Sequence, residues 1–154
     1  MQKSQIDIDE TFMRRALVQA AEAFERDEVP VGAVIVKDNR IIAQAYNQVE
    51  MLKDPTAHAE ILAITQAAAY LQSKWLEGCT LYVTIEPCNM CAGALILSRI
   101  KRIVFGAKDE KTGALGSKID INSLGLNHKP DVAGSVLGKD CADIISQFFK
   151  KKRK

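Results

Sequence analysis

The stretch TLYVTIEPCNMCAGALILSRIKRIVFGA, residues 80–107, decides the fold. Thr80 to Ile85 is rich in β-branched and aromatic residues and predicts a strand. Glu86-Pro87 closes it, and Pro87 falls where proline is welcome, in the first turn of a helix expected to run to about Arg99. Arg102 to Ala107 is the next strand. A strand, a helix and a strand within about thirty residues require a right-handed crossover and parallel pairing. Upstream, Val31 to Lys37 and Arg40 to Tyr46 are β-rich runs separated by Asp38-Asn39, a pair that tolerates the positive φ of a two-residue hairpin turn. One antiparallel hairpin and one parallel pair make the sheet mixed, so the fold class is α/β.

Helices are expected on both sides of this segment. From Asp9 to Asp27, Phe12, Ala16, Ala20 and Phe24 recur every four residues, with Met13 and Leu17 alongside, forming one apolar stripe. Asp54-Pro55-Thr56 marks the start of a second helix, buried through Ile61, Ile64, Ala68 and Leu71. Asp140 to Phe149 is a last amphipathic helix that runs into a basic tail, Lys150 to Lys154. Between Lys108 and Pro130 the chain is glycine-rich and polar, a long surface loop with room for one short helix. There is no internal repeat and no low-complexity segment.

A chain of 154 residues, 47% apolar and 26% charged, fits a single domain over residues 1–154. Its longest apolar stretch, Ala92 to Leu97, is far short of the roughly 18 residues of a membrane span. The first ten residues have no hydrophobic run that could act as a secretory signal, so the chain reads as cytoplasmic. Net charge is +2, but five of the 21 Lys and Arg lie at Lys150 to Lys154, leaving residues 1–149 at −3. That excludes a globally basic nucleic-acid coat protein and leaves a phosphate-binding patch at the C-terminus. Of the four cysteines, Cys88 and Cys91 form a close pair suited to metal or redox chemistry rather than to a disulfide framework.

Cys88 and Cys91 sit three apart at a helix N-terminus, where the dipole and free N–H groups favour thiolate. A strand followed by CxxC at a helix start also describes a thioredoxin-type redox site. His58 breaks the tie. His58-Ala59-Glu60 opens the other central helix, and two helices pointing end-on at one spot can deliver an imidazole, two thiolates and a carboxylate together. Soft nitrogen and sulfur ligands in a tetrahedral set select zinc, and three protein ligands leave a fourth place for water. A closed structural site would instead need Cys79, Cys141 or His128 as a fourth ligand, and no spacing favours that.

H-x-E together with P-C-x-x-C is the pattern by which zinc nucleobase deaminases are known. The longer stretches DPTAHAEILAI, LYVTIEPCNMCAGALILSRIKRIVFGAKDEKTGALGS and FFKKKRK resemble the bacterial tRNA-specific adenosine deaminases, which convert the wobble adenosine of an arginine tRNA to inosine. The resemblance runs from Arg14 to the tail. It implies a cytidine deaminase-like three-layer α/β/α sandwich, a homodimer, and one zinc per chain held by His58, Cys88 and Cys91, with no DNA as substrate. It further implies a zinc-activated water, with Glu60 shuttling protons off the metal. It assigns Asn47 to the flipped base, Asp109 to the ribose of a neighbouring nucleotide, and His128 with Asn127 to a face toward the RNA. The family often has arginine after the binding asparagine. Here it is Gln48, so a phosphate contact there would fall to Lys53 or the tail.

Three other readings compete. A deaminase of free bases or nucleosides needs neither basic tail nor long loop. An RNA-binding module with a structural zinc leaves Glu60 without a job. A CxxC thiol oxidoreductase leaves His58 without one.

Overall fold

The computed structural model describes residues 3–153. In chain order the elements are α1 (Gln5–Glu25), β1 (Gly32–Lys37), β2 (Arg40–Tyr46), α2 (Val49–Leu52), α3 (Ala59–Leu71), β3 (Thr80–Ile85), α4 (Asn89–Leu97), β4 (Arg102–Ala107), a 3-10 turn (Ile121–Ser123), β5 (Asp131–Ala133) and α5 (Gly138–Lys152). The sheet runs β2-β1-β3-β4-β5. Its first two pairings are antiparallel and its last two parallel. Two successive reversals turn β2 the same way as β3, so β2, β3 and β4 all end on one edge of the sheet.

α1 and α5 cover one face, around Met13, Ala16, Val34, Tyr82, Val104 and Cys141. α3 and α4 cover the other, with Ala63, Ala67, Leu81, Val83, Leu95 and Ile103 between helix and sheet. This is the three-layer α/β/α sandwich implied by the resemblance. The small residues of α1 let it lie close on the sheet. A Cβ on Gly32 would fall 2.0 Å from the Ala16 carbonyl oxygen and 2.4 Å from the Ala20 nitrogen, so only glycine fits under the helix there. Asp38 and Asn39 take φ of 51° and 61°, the turn expected between β1 and β2. Among the described residues no helix is long and apolar enough to cross a membrane.

Several boundaries differ from expectation. α3 starts at Ala59, because Asp54 spends its carboxylate on the Thr56 N–H and hydroxyl and closes a turn of its own. Pro87 lies before the α4 N-cap, Cys88, rather than inside the first turn. α2 and β5 were not expected from the sequence at all. α5 continues through Lys150, Lys151 and Lys152, so the basic segment is largely the last turn of a helix and not a tail beyond it. Lys154 lies outside the described residues.

A buried pair ties α1 to the sheet at the edge away from the strand ends just named. Arg102 holds Asp9 through both oxygens at 2.7 Å, and Tyr82 Oη donates to the same carboxylate at 2.9 Å. Burial alone would push Asp9 up, but Arg102, Tyr82 and Gln5 together hold it below its ordinary value of 3.8. The pair's contribution is therefore whole above about pH 4 and is lost as pH falls through the lower folded value. Arg102→Met strands a buried carboxylate and should cost about 3 kcal/mol at pH 7 in urea unfolding. The gap to wild type should narrow below about pH 4, and a gap independent of pH would place the loss in packing.

Candidate active site

The N-termini of α3 and α4 converge at the edge where β2, β3 and β4 end. His58 is the N-cap residue of α3, and Cys88 that of α4. His58 Nδ1 lies 3.7 Å from Cys88 Sγ and 3.5 Å from Cys91 Sγ, and the three ligand atoms all fall within 4.8 Å of one another. Zinc bonds of about 2.3 Å to sulfur and about 2.0 to 2.1 Å to nitrogen, opened to the tetrahedral angle, place sulfur and nitrogen about 3.6 Å apart. The two sulfur–nitrogen spacings match that value. With Nδ1 turned to the sulfurs, Nε2 is left for a hydrogen-bond acceptor outside the cluster.

The sulfurs are already polarised against one another. The Cys91 thiol donates to Cys88 and, with the His58 ring, holds Cys88 down to about 4 despite burial. The same bond to Cys88, together with burial, pushes Cys91 far up. Hydrogen bonding to Cys88 raises His58. Glu60, in the first turn of α3 and 3% exposed, is not a member of the ligand group. Burial pushes its carboxyl up to about 7, against the pull of its own N–H and of His58.

Asn47 follows β2 and is buried beside α3. Its Oδ1 accepts from the Ala59 N–H at 2.8 Å, giving one of the unpaired N–H groups at the helix start a partner. The amide NH2 remains for another acceptor. A cavity of about 950 Å³ opens over Asn47 and His58, and its far wall is Phe148, Phe149 and Lys152 of α5. Phe148 packs edge-on against Phe24 and Phe149, and Lys152 Nζ meets Asp27 Oδ2 at 2.7 Å. Lys152 of the basic segment is thus part of the cavity wall, although it lies far in sequence from His58.

Asp109 sits on the same edge, after β4. Its carboxylate accepts from the Lys111 and Thr112 N–H groups and from the Thr112 hydroxyl, so it builds its own turn. His128 is not brought to the cluster within one chain. Its Nε2 faces the Ile100 carbonyl at the start of β4, about 20 Å of strand away from Cys88, with exposed Asn127 beside it. Gln48 is the N-cap residue of α2, and Lys53 its left-handed C-cap, exposed to solvent. Sequence reading missed two buried carboxylates near the site, Glu28 and Glu86. Their signal was weak, since Glu28 follows Asp27 in a polar turn and Glu86 stands before a proline.

The MafB19-like deaminase family model matches residues 7–153. A tRNA-specific adenosine deaminase of Aquifex aeolicus is 51% identical over 145 residues, covering 94% of this chain and 95% of that protein. That of Haemophilus influenzae is 48% identical over 153 residues, covering 98% and 88%. A solved structure from a study of A-to-I editing by tRNA:A34 deaminases superposes with a TM-score of 0.81 at 44% identity, over 87% of this chain and 98% of that one. On these likenesses, which span almost the whole chain, the chain belongs to the family of tRNA-specific adenosine deaminases.

Proposed function

We propose that the protein hydrolyses adenosine to inosine at the wobble position of a tRNA anticodon, an arginine tRNA among its substrates. The reading places it in the cytoplasm, as one deaminase domain over residues 1–154. The observation that carries it is the cluster of His58, Cys88 and Cys91 with Glu60 beside it and Asn47 at the mouth of the cavity. His58, Cys88 and Cys91 would hold one zinc. When bound, zinc supplies a Lewis acid that makes hydroxide available at neutral pH.

Glu60 accepts a proton as water attacks the ring carbon bearing the exocyclic amine. It delivers that proton to the adjacent ring nitrogen and assists departure of ammonia. A carboxyl near 7 can both take and give protons at neutral pH. Asn47 offers its NH2 to an acceptor on the flipped base, because its oxygen is engaged by Ala59. The nucleotides flanking that base would run past the wall built by Phe149 and Lys152 and past the Asp109 turn, with His128 facing RNA from the far edge. An anticodon loop is a fitting substrate, since its bases are already partly unstacked and cost less to flip.

A homodimer belongs to the same reading. Leu97 is 80% exposed on α4, next to exposed Trp75 and Leu126, and such apolar surface is rarely left open on a monomer. Leu97→Lys should therefore shift the sedimentation coefficient from dimer to monomer.

Elemental analysis should find one zinc per chain, and Cys88→Ser should lose metal and activity together. Glu60→Ala should keep its zinc and lose about 10² to 10⁴ in rate on an anticodon stem-loop. Inosine formation at near wild-type rate by that variant would end the proton-transfer role. Asn47→Asp keeps the acceptor for Ala59 but removes the NH2 donor. It should melt close to wild type while losing turnover, and equal losses of both would make Asn47 a helix cap alone.

Charge reversal at Lys150 and Lys151 should flatten the dependence of log affinity on log salt by about 0.7 to 0.9 for each phosphate these lysines no longer neutralise. Ending the chain at Phe149 should also lower the rate at saturating tRNA, because Lys152 leaves the cavity wall. A saturated rate equal to wild type would limit this segment to RNA positioning.

A further inference from the structure

Glu86 lies between β3 and the Pro87-Cys88 turn and is 1% exposed. Among the described residues no Lys, Arg or His pairs with it. Its carboxylate is satisfied by the loop that follows β4. It accepts from the Asp109 N–H at 3.2 Å, the Leu115 N–H at 3.0 Å, the Ser117 N–H at 3.1 Å, and the Ser117 hydroxyl. Residues 109–117 are wound around this one side chain. Gly113 passes over it so closely that a Cβ there would lie 2.5 Å from Glu86 Cδ and 2.6 Å from Oε2.

The same loop backs the metal-ligand turn. Ala114 N–H donates to the Pro87 carbonyl at 2.9 Å, and Gly113 pairs with Cys88 as an isolated antiparallel bridge. Glu86 N–H in turn donates to the Ala107 carbonyl at 2.8 Å, tying the foot of the turn to the end of β4. A path of direct contacts therefore runs from the Glu86 carboxylate, through loop 109–117, to the backbone of Cys88 and to the Asp109 turn.

We propose that Glu86 is a positioning residue that fixes the Cys88 ligand and the Asp109 turn as one unit, joining metal retention to the shape of the RNA-facing loop. The inference rests on the zinc and tRNA reading of the site and extends it to a residue that touches neither metal nor substrate. Glutamine is the informative replacement. It keeps the size of the side chain, but its NH2 must oppose at least one of the N–H donors that the two oxygens now accept.

The test uses zinc-loaded protein and reads zinc release to a chromogenic chelator, KM and kcat on an anticodon stem-loop, and amide hydrogen exchange. Glu86→Gln should release zinc 10- to 100-fold faster, the factor by which groups that orient metal ligands change affinity, and should raise KM with exchange quickened at Leu115, Ser117 and the Cys88–Cys91 turn. Gly113→Ala pushes on the same carboxylate, so its effect combined with Glu86→Gln should fall well short of additive. Ser117→Ala removes one donor and should move each readout a few-fold the same way, keeping the test open if Glu86→Gln folds poorly. Variants that melt earlier but release zinc and bind RNA as wild type does would reduce Glu86 to a structural anchor and overturn the proposal. Wild-type protein holding no zinc would sink the metal reading alone. The coupling would then stand or fall on whether exchange spreads from Leu115 and Ser117 into the Cys88 turn.

Discussion

Two helix N-termini face one another at the edge of the sheet where β2, β3 and β4 end, and most of the molecule is arranged around that convergence. Each N-terminus brings N–H groups without intrahelical partners and the positive end of a dipole. Left apolar, such a spot would be costly to bury. Here the α3 N–H of Ala59 is met by Asn47, and Cys88 stands at the start of α4, where the field favours its thiolate form. The same field that must be satisfied for the fold is what makes two sulfurs and an imidazole ready to hold a cation. The arrangement depends on strand direction. Only because β1 runs antiparallel to both neighbours does Asn47 leave β2 on the edge where Cys88 leaves β3.

Three buried glutamates around this edge show how environment separates support from chemistry. Glu86 fills its oxygens with loop donors. Glu28 takes the Glu50 and Met51 N–H groups at 2.9 and 2.7 Å and so holds α2 against the α1–β1 connection. Buried carboxylates with complete donor sets can anchor irregular backbone without a cation. Glu60 is as deeply buried but lacks such a set, and burial raises it to about 7. A carboxylate left short of donors beside the His58, Cys88 and Cys91 cluster is suited to exchanging protons, whereas the other two are suited to keeping still.

The sheet was legible where its signals were local. The run from Thr80 to Ala107 carried the parallel crossover, and Asp38-Asn39 the hairpin. The grouping of His58, Cys88 and Cys91 was legible because such a donor set has a narrow choice of residue type and spacing. What escaped was non-local. β5 is three residues long and pairs only because β4 offers an edge, so nothing in Asp131 to Ala133 marks it alone. The start of α3 was misplaced because Asp54 competes for the helix N-terminus with a turn of its own. Glu86 looked like punctuation before a proline, since its partners lie 23 to 31 residues later.

The C-terminal helix marks the clearest limit of periodicity. An amphipathic pattern ending at Phe149 cannot tell that the following lysines continue the helix, because charged residues are good helix formers and carry no burial signal. What extends α5 is tertiary. Lys152 reaches Asp27 just beyond the end of α1, and Lys151 sits 5.3 Å above the Phe24 ring. The first and last helices are thereby clipped together over the cavity that opens above His58. The groups suited to chemistry stand at the first turns of α3 and α4, held by the sheet. The groups that shape the opening stand just beyond the end of α1, on α2 and on α5. Changes in α5 can therefore alter which molecules reach the cluster while leaving the geometry of His58, Cys88 and Cys91 intact.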